Sequence, residues 1–280
     1  MAINLDIIGK MTDPVSFTYD QDTLILYALG IGAGVKELDF VYEKNLKVFP
    51  TFAVIPFVPI FLSSFVREAG INLFTLLHGE HKIVLHQPIP KKGTLYSTVV
   101  CDAIYDKGDK GAVLNITIKT RDGDGDVIFE NKAVVVDRSG GNFGGDRGPK
   151  TQSVTPPDGK DTAFRVEYTT SPNQAALYRL NGDKNPLHID PAFASMGGFD
   201  RPILHGLCSF GFSGRAILHS LCGGDPARLK SFGVRFMNVA YPGDTLITEG
   251  WKSNTDGTYF IRTINQDGKI ILGNALAEIG

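Results

Sequence analysis

The two halves of this chain repeat one β-rich pattern at a fixed spacing, and this repeat constrains the fold more than any other feature. The segment Tyr27–Leu29 precedes a glycine-rich turn, as Tyr178–Leu180 does, and 178 − 27 = 151. An alternating strand pattern opens at Thr94 and again at Thr245, where 245 − 94 = 151. Such a repeat indicates an internal duplication, although chance similarity between two β-rich halves would also give two coincident offsets.

Both copies continue with strand patterns and tight turns. In the first copy Leu114, Ile116 and Ile118 alternate with polar residues, and Asp-Gly pairs typical of hairpin turns occur at 122–123 and 267–268. Between the copies, the segment 138–162 is rich in Gly, Asp and Pro, which predicts a flexible linker with low order around its middle. The predicted domains are therefore an N-terminal half, 1–137, and a C-terminal half, 163–280.

Composition excludes several classes of protein. The 28 Lys and Arg residues against 30 Asp and Glu give a net charge of −2, so no global basic field attracts nucleic acid. Hydrophobic residues make up 42% of the 280 residues, which fits a packed globular chain rather than a disordered one. The three cysteines, Cys101, Cys208 and Cys222, are too widely spaced for a disulfide framework or a structural zinc site, and they fit reduced intracellular thiols.

The apolar run from Val48 to Val66 is uncharged and long enough to span a bilayer. Pro50, Pro56 and Pro59 interrupt it, and each removes a backbone donor, so we expect buried, irregular chain that lines an apolar pocket rather than a membrane span. The first ten residues lack the features of a secretory signal, and the last residues do not form a peroxisomal targeting tripeptide.

Two segments of the second copy predict helices. Asp190 is a good N-cap, with Pro191 at the first helical position. A longer apolar stretch runs from His205 to Cys222, with Gly206 near its start. A long antiparallel sheet wrapped around this stretch would bury it against the concave face.

The densest polar cluster lies just before the first of these helices. Asp183, Asn185 and His188 fall within six residues, and Gly182 and Pro186 favour a turn that brings them together. An imidazole exchanges protons near neutral pH, a carboxylate can orient it or share the transfer, and an amide can bind water or substrate. The three residues are candidate catalytic groups, but a capped turn with a structural histidine explains the same spacing.

The sequence Asp-x-Asn-Pro-Leu-His-x-Asp-Pro at 183–191, followed by Pro-Ile-Leu-His-Gly at 202–206, resembles the hydratase 2 motif of the MaoC-like (R)-specific 2-enoyl-CoA hydratases. The similarity covers nearly the whole chain, including His78–Glu80 and Val234–Phe236, and is greatest to the hydratase 2 domain of fungal peroxisomal multifunctional enzymes type 2. This resemblance implies an α+β fold, the double hot-dog, in which each half is a curved antiparallel sheet packed around a helix.

The resemblance also implies roles for single residues. Asp183 and His188 would form the catalytic dyad, with Asn185 assisting. Only the C-terminal half would catalyse, because 183 − 151 = 32 and 188 − 151 = 37 place Gly32 and Glu37 at these positions in the first copy. The N-terminal half would instead accommodate long acyl chains, a role that the apolar run fits.

Gly206 is the candidate for stabilising the thioester oxyanion, because free N–H groups at a helix start favour negative charge; without the family context it is a turn glycine. Lys107 would meet a CoA phosphate as a point charge, or else is a solvated turn lysine.

No cofactor is expected. We also expect no metal at the histidines near Glu80, because strand alternation sends His81 and His86 to opposite faces. The resemblance implies that both residues of the dyad contact the substrate, as do Asn185 and Gly206. Further substrate contacts that it implies are His78, Gly79, Lys107, Pro186, Leu187 and Phe236.

The implied reaction is reversible syn addition of water to trans-2-enoyl-CoA, giving (3R)-3-hydroxyacyl-CoA in fatty acid β-oxidation. One alternative is an acyl-CoA thioesterase, because hot-dog folds host both activities. Another is a non-catalytic acyl-CoA-binding module, which would not require a proton-transfer pair. The resemblance further implies a peroxisomal location and fusion to dehydrogenase domains in a longer chain, and we expect a homodimer.

Overall fold

The computed structural model describes residues 3–61, 65–150, 153–157, 159 and 161–280. Within these ranges ten strands form one continuous antiparallel sheet: β1 (Val15–Tyr19), β2 (Leu76–Leu85), β3 (Gly93–Asp106), β4 (Ala112–Arg121), β5 (Val127–Asp137), β6 (Phe164–Thr169), β7 (Leu229–Phe236), β8 (Thr245–Lys252), β9 (Thr258–Asn265) and β10 (Ile270–Ile279). The strands lie in the order β1-β3-β4-β5-β2-β7-β10-β9-β8-β6.

Helices occupy the connections between these strands: α1 (Gln21–Gly30), α2 (Leu38–Val41), α3 (Phe57–Ile60), α4 (Val66–Ala69), α5 (Gln174–Tyr178), α6 (Pro191–Met196) and α7 (Gly206–Leu221). Single 3-10 turns lie at Leu5–Ile7, Pro50–Val54, Gly108–Lys110, Arg179–Asn181, Pro186–His188 and Pro226–Arg228. The predicted helix starts are confirmed, because the Asp190 side chain caps α6 and α7 begins one residue after His205. No helix in the described ranges is long and apolar enough to cross a membrane.

Counted from its edge to the centre, each half of the sheet has its own first, third, fourth, fifth and second strand in that order. This shared order supports the predicted duplication. Each strand of the first half has a counterpart in the second, and the two copies join where β2 pairs antiparallel with β7. The offset holds at this junction, since 85 + 151 = 236 and the two strands end at Leu85 and Phe236. The equivalent residues Tyr27 and Tyr178 contact each other, with ring centroids 6.4 Å apart.

The long helix α7 packs against β6, β7, β8 and β10 and contributes to the core of the second half. Its residues Phe210 and Ile217 are completely buried. The apolar run occupies the equivalent place in the first half, and its burial is confirmed by Phe52 and Ile60, both fully inaccessible. The predicted irregular path is wrong in part, because the prolines divide the run into a 3-10 turn and short helices instead of abolishing helical structure. Residues 62–64 of this run lie outside the described ranges.

The first part of the predicted linker is held against the sheet. The Asp106 carboxylate, at the end of β3, accepts hydrogen bonds from the backbone N–H groups of Gly108, Asn142 and Gly144 at 2.7–2.8 Å. Residues 151, 152, 158 and 160, near the linker's middle, lie outside the part of the chain that the structure describes. The flexibility of that middle section therefore stays a prediction.

Candidate active site

Nested turns shape the loop between α5 and α6. The Asp183 side chain accepts a hydrogen bond from the N–H of Asn185 at 3.1 Å, and the Asn185 side chain accepts one from the N–H of Leu187 at 3.0 Å. Pro186 occupies the first position of the 3-10 turn that Asn185 caps. The loop thereby presents Asp183 and His188 from one tight bend, as the sequence predicts, while Asn185 and Pro186 remain exposed.

His188 is buried and has one nitrogen fixed. Its Nδ1 lies 2.9 Å from the carbonyl oxygen of Ile203, and because a carbonyl can only accept, Nδ1 carries the proton. The neutral ring therefore has an unprotonated Nε2 that can accept a proton. Burial lowers the pKa of His188 below its usual value, although the Asp183 carboxylate and the bond to Ile203 act in the opposite direction.

The predicted pair converges, and a third side chain joins it. One carboxylate oxygen of Asp183 and one ring nitrogen from each of His188 and His205 all lie within 4.8 Å of one another. Asp183 is partly exposed while both histidines are buried, so the group reaches solvent through the carboxylate. Donors of this kind and spacing can hold a water molecule and could also hold a divalent cation, so the expectation of no metal stays a prediction.

Sequence reasoning missed the part that His205 plays. Its ring stacks on the His188 ring with centroids 3.7 Å apart, and its Nε2–H donates to the backbone carbonyl of Asp183 at 3.2 Å. Burial, reinforced by the neighbouring His188, lowers the pKa of His205 to about 2. The only sequence signal was its place beside Gly206 in the second part of the motif, since neither contact follows from spacing along the chain.

Gly206 opens α7 at the edge of this cluster. The N–H groups of Cys208 and Ser209 donate to the carbonyl of His205, whereas those of Gly206 and Leu207 precede the intrahelical ladder. Gly206 is exposed, so its N–H can meet a ligand. A Cβ at this position would lie 3.1 Å from two carbon atoms of the Phe236 ring, which shows how closely that ring covers the start of the helix.

Phe236 links the helix start to His78 on β2. The two ring centroids are 5.0 Å apart, and the other side of His78 stacks on Phe57 at 5.1 Å. His78 Nε2 lies 3.2 Å from His81 Nδ1, and burial lowers the pKa of His78 well below its usual value. The structure thus brings His78 and Phe236 close to Gly206 and to Phe57 in the apolar run.

Two further residues implied by the resemblance lie in distinct surroundings. Gly79 sits beside His78 where the register of β2 shifts against β5, and a Cβ there would lie 3.2 Å from the carbonyl oxygen of Val134. Lys107 lies in the turn after β3, where its ammonium group donates to the carbonyl of Arg147. None of its described contacts is with the dyad, so the structure does not bring Lys107 together with the other site residues.

His81 on β2 and His86, which directly follows that strand, lie in different surroundings, as the sequence predicts. His81 faces the core, with Nε2 at 2.8 Å from Asn131 Oδ1, whereas His86 is exposed. Two surface clefts of about 330 and 320 Å³ lie at other places on the sheet, and neither is lined by Asp183 or His188.

The equivalent position in the first half is filled by side chains from α7. Gly32 adopts φ +80°, and a Cβ there would lie 2.5 Å from the Phe212 ring. Glu37, at the position equivalent to His188, accepts hydrogen bonds from Arg215 and His219. Although burial alone would raise it, these bonds lower the pKa of Glu37 to about 2. The first copy thus holds a buried ion pair where the second holds the dyad.

Two family models match successive parts of the chain. A family profile described as the MFE-2 hydratase 2 N-terminal domain matches residues 17–139, and one described as a MaoC like domain matches residues 153–271. A Dictyostelium discoideum protein named probable enoyl-CoA hydratase 2 is 37% identical over 98% of this chain and 95% of its own length. The chain belongs to the MaoC-like hydratase 2 family.

Other similar proteins include a longer relative and two solved structures. The mouse peroxisomal multifunctional enzyme type 2 is 39% identical over 97% of this chain, which spans 38% of that protein. The crystal structure of a MaoC-like dehydratase from Phytophthora capsici has 33% identity and a TM-score of 0.86, with 99% of each chain covered. A Mycobacterium tuberculosis structure described as a double hotdog fold has 12% identity and a TM-score of 0.59, covering 97% of this chain and 95% of its own. The predicted double hot-dog fold is confirmed.

Proposed function

We propose that this chain is an (R)-specific 2-enoyl-CoA hydratase, a hydro-lyase that converts trans-2-enoyl-CoA and water to (3R)-3-hydroxyacyl-CoA in fatty acid β-oxidation. The names of its relatives, enoyl-CoA hydratase 2 among them, support this activity. The observation that carries it is the convergence of the Asp183 carboxylate and the His188 imidazole within 4.8 Å. Two groups that can exchange protons at this separation can hold one water molecule between them.

The chemistry requires only this water and the double bond. The oxygen of the water bonds to C3, one of its protons passes to the dyad, and a proton from the dyad reaches C2. His188 Nε2 is available because Nδ1 is bonded to Ile203. Both additions come from the side of the substrate that faces the dyad, so the addition is syn. Proton transfer assisted in this way is typically worth about 10²- to 10⁴-fold in rate.

Negative charge develops on the thioester oxygen during this addition. The exposed N–H of Gly206 lies at the start of the 16-residue helix α7, where the helix dipole favours an anion. Gly206 directly follows His205, which contacts both members of the dyad, so the helix starts next to the dyad. We assign the oxyanion contact to this N–H.

The remaining contacts extend from the dyad in two directions. Pro186, Leu187 and Asn185, beside the dyad on the exposed loop, suit the CoA end of the substrate. His78, which is next to Gly79, contacts both Phe236 and Phe57, and Phe57 belongs to the apolar run, the proposed site for the acyl chain. The ammonium group of Lys107 uses one of its three N–H donors on the carbonyl of Arg147, which leaves two for a CoA phosphate.

Incubation with trans-2-decenoyl-CoA tests the proposal against its alternatives. A hydratase removes the enoyl-thioester absorbance without freeing thiol, a thioesterase releases CoA, and a binding module does neither. Chiral chromatography of the product would identify the (3R) alcohol. Release of thiol, or an unchanged absorbance with a folded protein, would contradict the proposal.

The dyad is tested by Asp183→Ala and His188→Ala. Each removes one of the two groups that hold the water, so we expect turnover to fall by about 10²-fold or more while circular dichroism shows an intact fold. Activity close to that of the parent in either variant would refute the assignment.

The location and the longer chain that we propose are inferred from the names of the relatives. Because several of them are named peroxisomal multifunctional enzymes, we include in the proposal a peroxisomal location and fusion to dehydrogenase domains in a longer chain. A homodimer and a reaction without added cofactor complete it. Gel filtration with light scattering would test the dimer, and organelle fractionation would test the location.

A further inference from the structure

We propose that His205 is a positioning residue of the dyad, which holds Asp183 and His188 in their relative orientation without itself exchanging protons with the substrate. The effect of His205 on catalysis rests on the proposed function. The contacts on which it depends are properties of the protein without substrate.

The first contact fixes the carboxylate residue. His205 Nε2–H donates to the backbone carbonyl of Asp183 at 3.2 Å, across 22 residues of sequence. This bond ties the loop before α6 to the residue that precedes α7. Asp183 follows Gly182, whose φ is +120°. Because glycine leaves the backbone free to adopt other conformations, the hydrogen bond from His205 restrains the loop where its backbone is least restricted.

The second contact fixes the imidazole. The rings of His188 and His205 stack at 3.7 Å with an angle of 27° between their planes, and Tyr178 lies on His205 at 5.0 Å. His188 is thus held in its plane by the stack and in its orientation by its bond to Ile203. One side chain, only 1% exposed, therefore touches both members of the dyad.

The unused nitrogen of His205 argues against a role in packing alone. With Nε2 donating, the neutral ring leaves Nδ1 as an acceptor, and this buried atom has no hydrogen-bond partner among the described residues. An unpaired buried acceptor is costly. A phenylalanine would supply the same stack without that cost, so the histidine is explained by the bond that only its Nε2–H makes.

Two substitutions separate the two contacts. His205→Phe keeps a ring for the stack but cannot donate to the Asp183 carbonyl. His205→Gln places an amide N–H near the position of Nε2 but removes the ring. His86→Gln is the matched control, because His86 is exposed and makes no contact with the site.

We expect His205→Phe and His205→Gln each to lower kcat for trans-2-decenoyl-CoA roughly 10- to 100-fold, with KM changed less than about threefold. His86→Gln should keep the parent's kinetics. A loss in one variant alone assigns the positioning to the contact that this variant removes. Kinetics like the parent's in both variants, or a loss that falls mainly on KM, would overturn the proposal. Failure of both variants to fold would also overturn it, because His205 would then serve the fold.

A spectroscopic readout is independent of the reaction. In the substrate-free protein, the His188 Nδ1–H bonded to Ile203 should give a protected imidazole N–H signal in ¹⁵N NMR. We expect this signal to broaden or disappear in His205→Gln, while the signals of the other histidines persist. An unchanged His188 signal in that variant would contradict the proposal even if the parent proved not to be a hydratase.

Discussion

At the scale of single residues, the site depends on contacts between positions far apart in the chain. Asp183, Asn185 and His188 could be predicted as a cluster because a turn with Gly182 and Pro186 brings near neighbours together. The stack of His205 on His188 and the cover that Phe236 gives to Gly206 could not, because each depends on how α7 lies in the sheet. Local spacing thus predicted that these side chains cluster, whereas the contacts around them come from tertiary packing.

The close approach at Gly206 gives the first prediction. In Gly206→Ala the new Cβ would press on the Phe236 ring, 3.1 Å away, and shift the wall beside the helix N–H. We expect kcat to fall about tenfold or more. Alanine favours helix, so thermal unfolding should show no loss of stability.

Gly123→Ala is the control for that variant, because nothing lies within 4 Å of the equivalent Cβ and its φ requires no glycine. It should leave both kcat and the unfolding temperature unchanged. Full activity in Gly206→Ala would contradict the prediction, because it would show that the Phe236 ring can move away from the new Cβ without a loss of activity.

A buried histidine gives the second prediction, on pH and stability. Burial lowers the pKa of His81 from 6.5 to about 4. Between these values the unfolded chain takes up a proton that the folded protein refuses, so the free energy of unfolding falls as pH drops from 6.5 towards 4. His81→Gln cannot titrate, so we expect the slope to become shallower by up to about 1 kcal/mol per pH unit.

Urea unfolding at several pH values between 4 and 7 measures this slope. His86→Gln provides the comparison, because its side chain is exposed in the folded protein. Parallel pH curves for the parent and His81→Gln would show that His81 is not kept neutral by burial.

At the scale of elements, the sequence was informative about where helices start and less so about where proline-rich chain goes. The cap at Asp190 predicted the start of α6, and the stretch from His205 to Cys222 predicted both ends of α7 within one residue. The run from Val48 was expected to be irregular, yet it packs as short helical turns. Burial in the position equivalent to α7 favours internally bonded backbone, and the prolines only divide it.

The ion pair between Glu37 and Arg215 gives an element-scale prediction, because it joins the loop after α1 to α7. Both side chains are nearly buried, at 12% and 11% exposure. Glu37→Gln would leave the Arg215 charge buried without a counter-ion, so we expect the free energy of unfolding to fall by about 3 kcal/mol or more. Urea denaturation provides the measurement.

The exposed pair of Lys47 and Asp39, 2.8 Å apart, offers the matched comparison. Asp39→Asn should change the free energy of unfolding by at most about 1 kcal/mol, since solvent screens that pair. Equal effects of the two substitutions would mean that the Arg215 pair contributes no more than a surface contact.

At the scale of the whole molecule, the repeat predicted the doubled architecture but not the join between the copies. Two offsets of 151 residues indicated two similar halves, and the strand order supports this. The pairing of β2 with β7, which makes one sheet of ten strands, could not be predicted, because hydrophobic alternation fixes the face of a strand and not its partner.

The last prediction is that the proposed hydratase activity does not depend on a bound metal ion. The proposed reaction needs only water and proton transfer, so we expect dialysis against EDTA to leave hydratase activity unchanged. Asp183, His188 and His205 are spaced closely enough to bind a cation, so metal analysis of the purified protein should accompany the assay. Loss of activity with EDTA that added zinc restores would show that these donors hold a catalytic metal.

The join of β2 to β7 has a consequence for how this protein can change over time. Removal of the N-terminal half would expose the edge of β7, because β2 is its neighbouring strand. The proposed dyad lies in the C-terminal half, whereas the proposed site for the acyl chain lies in the N-terminal half. The proposal therefore implies that substitutions in the N-terminal half can change the preferred acyl group while the dyad is retained.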